Sequence, residues 1–156
     1  TLTEIGIVTK FYGTLATIVG AFAGGILVVK FGILKPLFFA AVFLALTNLL
    51  FAVLAGAGAN LIFLIGTITA DNFSAGLGGA VFIAYLSSLT NRLYTATQYA
   101  LFTSFMTLPG KFFGGFSGVF VDGYGYVIFF IGAAAAGIPA ILLTLLLLRR
   151  QEQRRA

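Results

Sequence analysis

Cysteine, histidine and tryptophan are all absent from this 156-residue chain. Without cysteine there is no disulfide framework, no thiol nucleophile and no Cys/His zinc site, and without histidine no Ser-His-Asp triad. The lack of Trp leaves any interfacial aromatic belt to six Tyr. Only four acidic residues occur: Glu4, Asp71, Asp122 and Glu152. They are too few and too scattered for a carboxylate metal site, so neither a metal nor a cofactor is expected. Charge of both signs is scarce, at 8% of residues, against about 25% in a soluble domain.

What remains is apolar. Hydrophobic residues make up 60% of the chain and the mean hydropathy is +1.11. So few charges cannot keep a surface wet, and most of it must face lipid. The composition predicts an all-α, polytopic membrane protein whose first partner is the bilayer. The net charge of +5 is no nucleic-acid signal, because the Lys and Arg gather at segment ends and in a tail, where the positive-inside rule places them. The chain begins at Thr1, its one Met is Met106, and no basic stretch precedes a cleavage site. It reads as an internal or C-terminal piece of something longer.

Five apolar segments follow from the hydropathy pattern: Ile5 to Val29, Pro36 to Ala55, Leu61 to Leu89, Gln98 to Val121 and Tyr126 to Leu148. At about 1.5 Å per residue each is long enough to cross a hydrocarbon core of about 30 Å as a helix. Barrel strands would need only about ten residues with alternating polarity, and these runs are longer and apolar on both faces. The connections are short, and none has room for a soluble domain. One side of the predicted bundle carries Lys30, Lys35, Arg92, Arg149, Arg150, Arg154 and Arg155, and the other carries Glu4 and Asp122 with no loop Lys or Arg. This asymmetry places the C-terminus in the cytoplasm and Thr1 outside.

Three ionisable residues fall inside the apolar segments: Lys10, Asp71 and Lys111. Such residues are costly in lipid and are functional candidates by default. Asp71 and Lys111 each lie about ten residues below the outer end of their segment, at about 15 Å depth. The two are therefore expected to approach each other near the midplane. Lys10 lies closer to the outer face, where a lysine can snorkel. Each sits on a small or polar stripe with steps of three and four: Lys10, Thr14, Thr17, Ala21 and Gly24; Thr67, Asp71, Ser74 and Gly78, with Asn72 alongside; Ser104, Thr107, Lys111, Gly114 and Gly118. Those faces are helix contacts or cavity walls. The glycines by themselves point to packing. The ionisable residues point to a substrate or proton site formed by Lys10, Asp71, Asn72 and Lys111. Thr14, Thr17, Thr67, Ser74, Ser104 and Thr107 would line the cavity. Segments two and five hold no ionisable residue in their cores and are expected to be peripheral. Pro109 and Pro139 are expected to bend the inner parts of segments four and five.

Several stretches resemble a known family. Gly25-Ile-Leu-Val-Val29-Lys30-Phe31-Gly32 is similar to a loop motif of the major facilitator superfamily, with Val29 where the motif has Asp. Gly114-Gly115, Gly118 and Asp122-Gly-Tyr-Gly125-Tyr126 look like the end of that superfamily's eleventh helix, with Tyr126 in place of Trp. The whole chain resembles the AmpG-type muropeptide permeases, through Gly6-Ile-Val-Thr-Lys10, Thr14-Leu-Ala-Thr-Ile-Val-Gly20-Ala, Gly24-Gly-Ile-Leu, Asp71-Asn72, Gly78-Gly-Ala-Val-Phe-Ile-Ala-Tyr-Leu and Tyr94-Thr-Ala-Thr-Gln98-Tyr-Ala-Leu. The resemblance implies that residues 1–156 are helices eight to twelve of a longer carrier, its C-terminal transmembrane half, with the N-terminal half and helix seven as missing partners. Helices eight, ten and eleven would line the cavity; these are the three segments that carry the stripes. The implied activity is import of anhydro-muropeptides across the inner membrane for cell-wall recycling, by symport with protons. Acetyl-CoA-type transporters are similar in the same regions. A non-transporting membrane scaffold is the competing class, in which Asp71 and Lys111 only pack. An enzyme is not expected, since the core offers no His and no second carboxylate.

Overall fold

The computed structural model describes residues 6, 8–58, 60–90 and 95–153. Glu4, Arg92, Arg154 and Arg155, which enter the charge count above, lie outside the described residues. A π-helical turn at Val8–Tyr12 leads into α1 (Gly13–Phe31); α2 (Leu34–Ala57), α3 (Leu61–Leu89), α4 (Thr95–Ala136) and α5 (Ile138–Gln153) follow. Every described element is helical, as the apolar runs require: in lipid only intrahelical bonds satisfy the backbone of a single segment.

The start of α3 shows how the sequence sets a boundary. Asn60 is its N-cap, and its side-chain oxygen accepts from the Phe63 amide at 3.1 Å, satisfying one of the helix's free donors. Pro36 and Pro139 both sit in the first turn of their helices, where a missing N–H costs nothing. Pro139 therefore does not bend a helix interior. The break lies just before it at Gly137, whose amide bonds to the Ala134 carbonyl at 3.0 Å. Pro109 is accommodated inside α4.

The number of separate crossings differs from the sequence reading. Where hydropathy predicts five segments, the described residues form four apolar helical runs long enough to span, the last extending 58 residues from Ala96 to Gln153. A straight helix of that length would measure about 87 Å, far beyond one bilayer. Gly125, at φ 80° and ψ 164°, interrupts it. Only glycine takes such a conformation at no steric cost. The chain turns there, because the rings of Phe120 and Phe129 come within 6.3 Å, closer than nine residues of straight helix allow. The expected connection at Asp122–Gly125 thus contracts to one non-helical residue, with 95–124 before it and 126–136 after it.

Packing fixes the order of the helices. α1 runs parallel to α3: Gly13 abuts Asn72, Gly20 abuts Phe73 and Gly24 abuts Leu77. α2 runs antiparallel to α3, since Thr47 meets Asp71 while Ala40 and Leu44 meet Gly78. Residues 126–153 run antiparallel to α2, with Phe51 stacked on Phe130 at 5.0 Å and Ala45 against Gly137. α3 is therefore the central helix, flanked by α1 and α2. Lys30, Lys35, Arg149 and Arg150 all fall at one end of the bundle. A small buried core of Leu37, Ala40, Leu77 and Val81 joins α2 to α3, with Phe73, Phe82 and Tyr85 around it. Outward side chains are large and apolar, as at Val29, which is 89% exposed, a surface suited to lipid or to further apolar helices.

Candidate functional site

The polar residues predicted from sequence separate into two contacts on opposite flanks of α3 and one exposed helix. Asp71 and Asn72 are adjacent, so a helix turns them about 100° apart. Asp71 faces α2, where its Oδ1 and the Thr47 Oγ1 lie 3.0 Å apart. Asn72 faces α1, where its Oδ1 accepts from Thr17 Oγ1 at 3.2 Å. The Asn72 amide nitrogen also donates to the Ile68 carbonyl at 2.9 Å, and its side chain covers Gly13.

The α2 flank is the drier one. Thr47 and Thr67 are each 1% exposed and Ser74 is fully buried. Ser74 Oγ donates to the Asp71 carbonyl at 2.8 Å. Thr47 Oγ1 also lies 3.0 Å from the Leu44 carbonyl. Thr67, one helical turn before Asp71 on the same face, has no hydrogen-bond partner for its hydroxyl. A buried unpaired hydroxyl costs about 1–3 kcal/mol, so this cluster is not optimised for stability alone.

The other candidates stand apart. Lys10 lies in the π-helical turn, exposed, with its carbonyl accepting from Thr14 Oγ1 at 2.6 Å. Thr17 Oγ1 lies 2.9 Å from the Gly13 carbonyl as well as facing Asn72. Lys111 is exposed on 95–124. Ser104 and Thr107 occupy the same segment and bond to its own carbonyls, Ala100 and Thr103. Among the described residues no acidic and basic side chains come within 4.0 Å of each other. Asp71 and Lys111 are not brought together in this arrangement. Gly114, Gly115 and Gly118 meet nothing within 4 Å, so the small stripe of 95–124 has no partner here. Gly76, by contrast, packs against the Thr17 backbone and Gly78 against Leu44.

Thr47 is the functional candidate that sequence reasoning passes over. Segment two reads as peripheral because it holds no ionisable residue in its core. The signal was present all the same: Thr47-Asn48 is the one polar pair between Pro36 and Gly56. α2 is not wholly lipid-facing, since it supplies the partner of Asp71.

These contacts can be set beside known proteins. No protein-family model matches the chain. It is 30% identical over 139 residues to the anhydromuropeptide permease of Escherichia coli K12, covering 89% of this chain and 28% of that protein. It is 36% identical over 138 residues to a Rickettsia felis protein carrying the transporter name AmpG 4, covering 88% and 33% respectively. The chain is a homologue of the AmpG-type permeases. A Rickettsia bellii protein named AmpG 1 is 34% identical over 139 residues. The chain spans about a third of the length of these curated relatives. Their names are those of transporters, not enzymes, and the apolar helices agree with a multi-pass membrane protein. Among the described residues of α1 to α3, Asp71 is the one carboxylate, and it sits at a helix–helix contact with no basic side chain within 4.0 Å.

Proposed function

We propose that this chain forms helices eight to twelve of a proton-coupled carrier that imports anhydro-muropeptides across the inner membrane, with its C-terminus in the cytoplasm. The observation that carries this reading is Asp71: an ionisable side chain in mid-helix, hydrogen-bonded by Thr47 and with no cation within 4.0 Å among the described residues. An intramembrane carboxylate is expensive and is kept for proton or substrate handling by default. Asp71 takes the proton. Lys10, Asn72 and Lys111 bind the solute, the lysines through carboxylates of its peptide stem. Thr14, Thr17, Ser104 and Thr107 border the solute's path, and Thr67 and Ser74, buried beside Asp71, line the proton site. The missing N-terminal half supplies the other wall of the site, because carriers of this kind bind between two repeats and rock one against the other.

A scaffold reading has one observation in its favour: the bonds of Asp71 and Asn72 tie α3 to its two neighbours. Uptake separates the readings. The full-length protein, in vesicles with an imposed proton gradient, should accumulate labelled anhydro-muropeptide, and a protonophore should abolish the accumulation. Gradient-independent equilibration would remove the coupling claim. Absence of any uptake by folded protein would favour the scaffold. Excess acetyl-CoA should not compete.

A further inference from the structure

The Thr47 hydroxyl has one hydrogen and two neighbours, each at 3.0 Å: the Leu44 carbonyl and Asp71 Oδ1. It cannot donate to both at once. The carbonyl can only accept, whereas the carboxyl accepts when ionised and donates when protonated. Which way the hydroxyl points is therefore set by the proton on Asp71. With Asp71 ionised, Thr47 Oγ1–H donates to Oδ1. With Asp71 neutral, the proton on Oδ1 donates to Thr47 Oγ1, whose own hydrogen swings to the Leu44 carbonyl. One proton is taken up, none is released, and Thr47 stays bonded to Asp71 in both states.

The rest of the contact suits this exchange. The Leu44 carbonyl also accepts from Asn48 Nδ2 at 2.9 Å, so it keeps a partner when Thr47 turns away. Thr47 is 1% exposed, which keeps water from competing for its hydroxyl. Charged groups are remote on every element packed here: α2 carries only Lys35, near its start, α1 carries Lys30 in its last turn, and α3 carries only Asp71. Lys10 in the π-helical turn, Lys111 on 95–124, and Arg149 and Arg150 on α5 form no ion pair with Asp71; Asp122 on 95–124 and Glu152 on α5 are acidic and offer it no counter-charge. A hydroxyl, and not a counter-charge, is thus the group that meets the carboxyl.

We infer that Thr47 of α2 is a positioning residue for Asp71: a two-way hydroxyl that holds the carboxyl in one place in both protonation states and carries its state to the α2–α3 contact. The inference rests on the reading of Asp71 as the proton site, and the test keeps the two apart. The measurement is pH-difference infrared spectroscopy of the full-length protein in lipid. A protonated-carboxyl band that disappears in Asp71→Asn is expected. Thr47→Val keeps the shape but removes the hydroxyl, and it should move that band to higher wavenumber. Thr47→Ser should restore the wild-type position. Thr47→Ala, with the same expected displacement, serves if the Val variant does not fold. An Asp71 band that is present but unmoved in a folded Val or Ala variant overturns the role of Thr47 and leaves the proton site standing. No titrating band assignable to Asp71 overturns the proton-site reading itself.

Discussion

Asp71 and Asn72 show how one helical step divides labour. Adjacent in sequence, they bond to different helices, Asp71 to Thr47 of α2 and Asn72 to Thr17 of α1. The equal depth of Asp71 and Lys111 suggests a midplane ion pair, but Lys111 is exposed on 95–124 and the group hydrogen-bonded to the Asp71 carboxyl is a hydroxyl. Double-mutant cycles on folded yield in the full-length protein discriminate between these two partners. Asp71→Asn with Thr47→Val should show a coupling of about 0.5–3 kcal/mol, the range for residues in one hydrogen-bonded contact. Asp71→Asn with Lys111→Ala should be additive within about 0.5 kcal/mol. A large coupling in the second cycle and none in the first would reverse the assignment.

At the scale of the helices, the seam between α1 and α3 depends on missing side chains. A Cβ at Gly20 would collide with the Phe73 carbonyl, and one at Gly76 with the Thr17 carbonyl; at Gly24 it would come within 2.7 Å of the Leu77 carbonyl. Backbone cannot move aside as a flexible side chain can. Gly20→Ala and Gly76→Ala should each lower stability by about 1–3 kcal/mol, the usual cost of overpacking. Gly25→Ala, which meets nothing within 4 Å, should be tolerated. Thermal unfolding in detergent checks this, and equal effects at all three positions would contradict the seam. The segments themselves were legible in the sequence because hydropathy reports burial in lipid directly. The turn at Gly125 was legible as well, within the Asp122–Gly125 connection; what was not is that a single non-helical glycine suffices for it. Which stripe would find a partner was not legible at all. The stripes of α1 and of 95–124 have the same spacing, yet Gly20 is buried against α3 while Gly114 touches nothing. Spacing defines a face, not what covers it. Thr47 escaped notice for a related reason: a neutral hydroxyl attracts no attention until the carboxylate across the contact is known.

For the whole molecule, the parallel and antiparallel packing brings Lys30, Lys35, Arg149 and Arg150 to one end, as the positive-inside rule asks of a cytoplasmic face. A reporter fused after Ala156 should read as cytoplasmic and one inserted at Gly58 as external; the opposite result at both sites would invert the proposed orientation. The chain spans about a third of its AmpG-type relatives, and helix 95–124 exposes Phe105, Phe113 and Val119 at 70% or more. The central claim is that Asp71 carries the proton within that larger carrier. The most direct measurement compares two modes of transport in the full-length Asp71→Asn protein. Solute exchange between vesicle interior and medium needs binding but no gradient; accumulation needs proton coupling. Asp71→Asn should retain exchange and lose gradient-driven accumulation to background. Accumulation at the wild-type level would contradict the account.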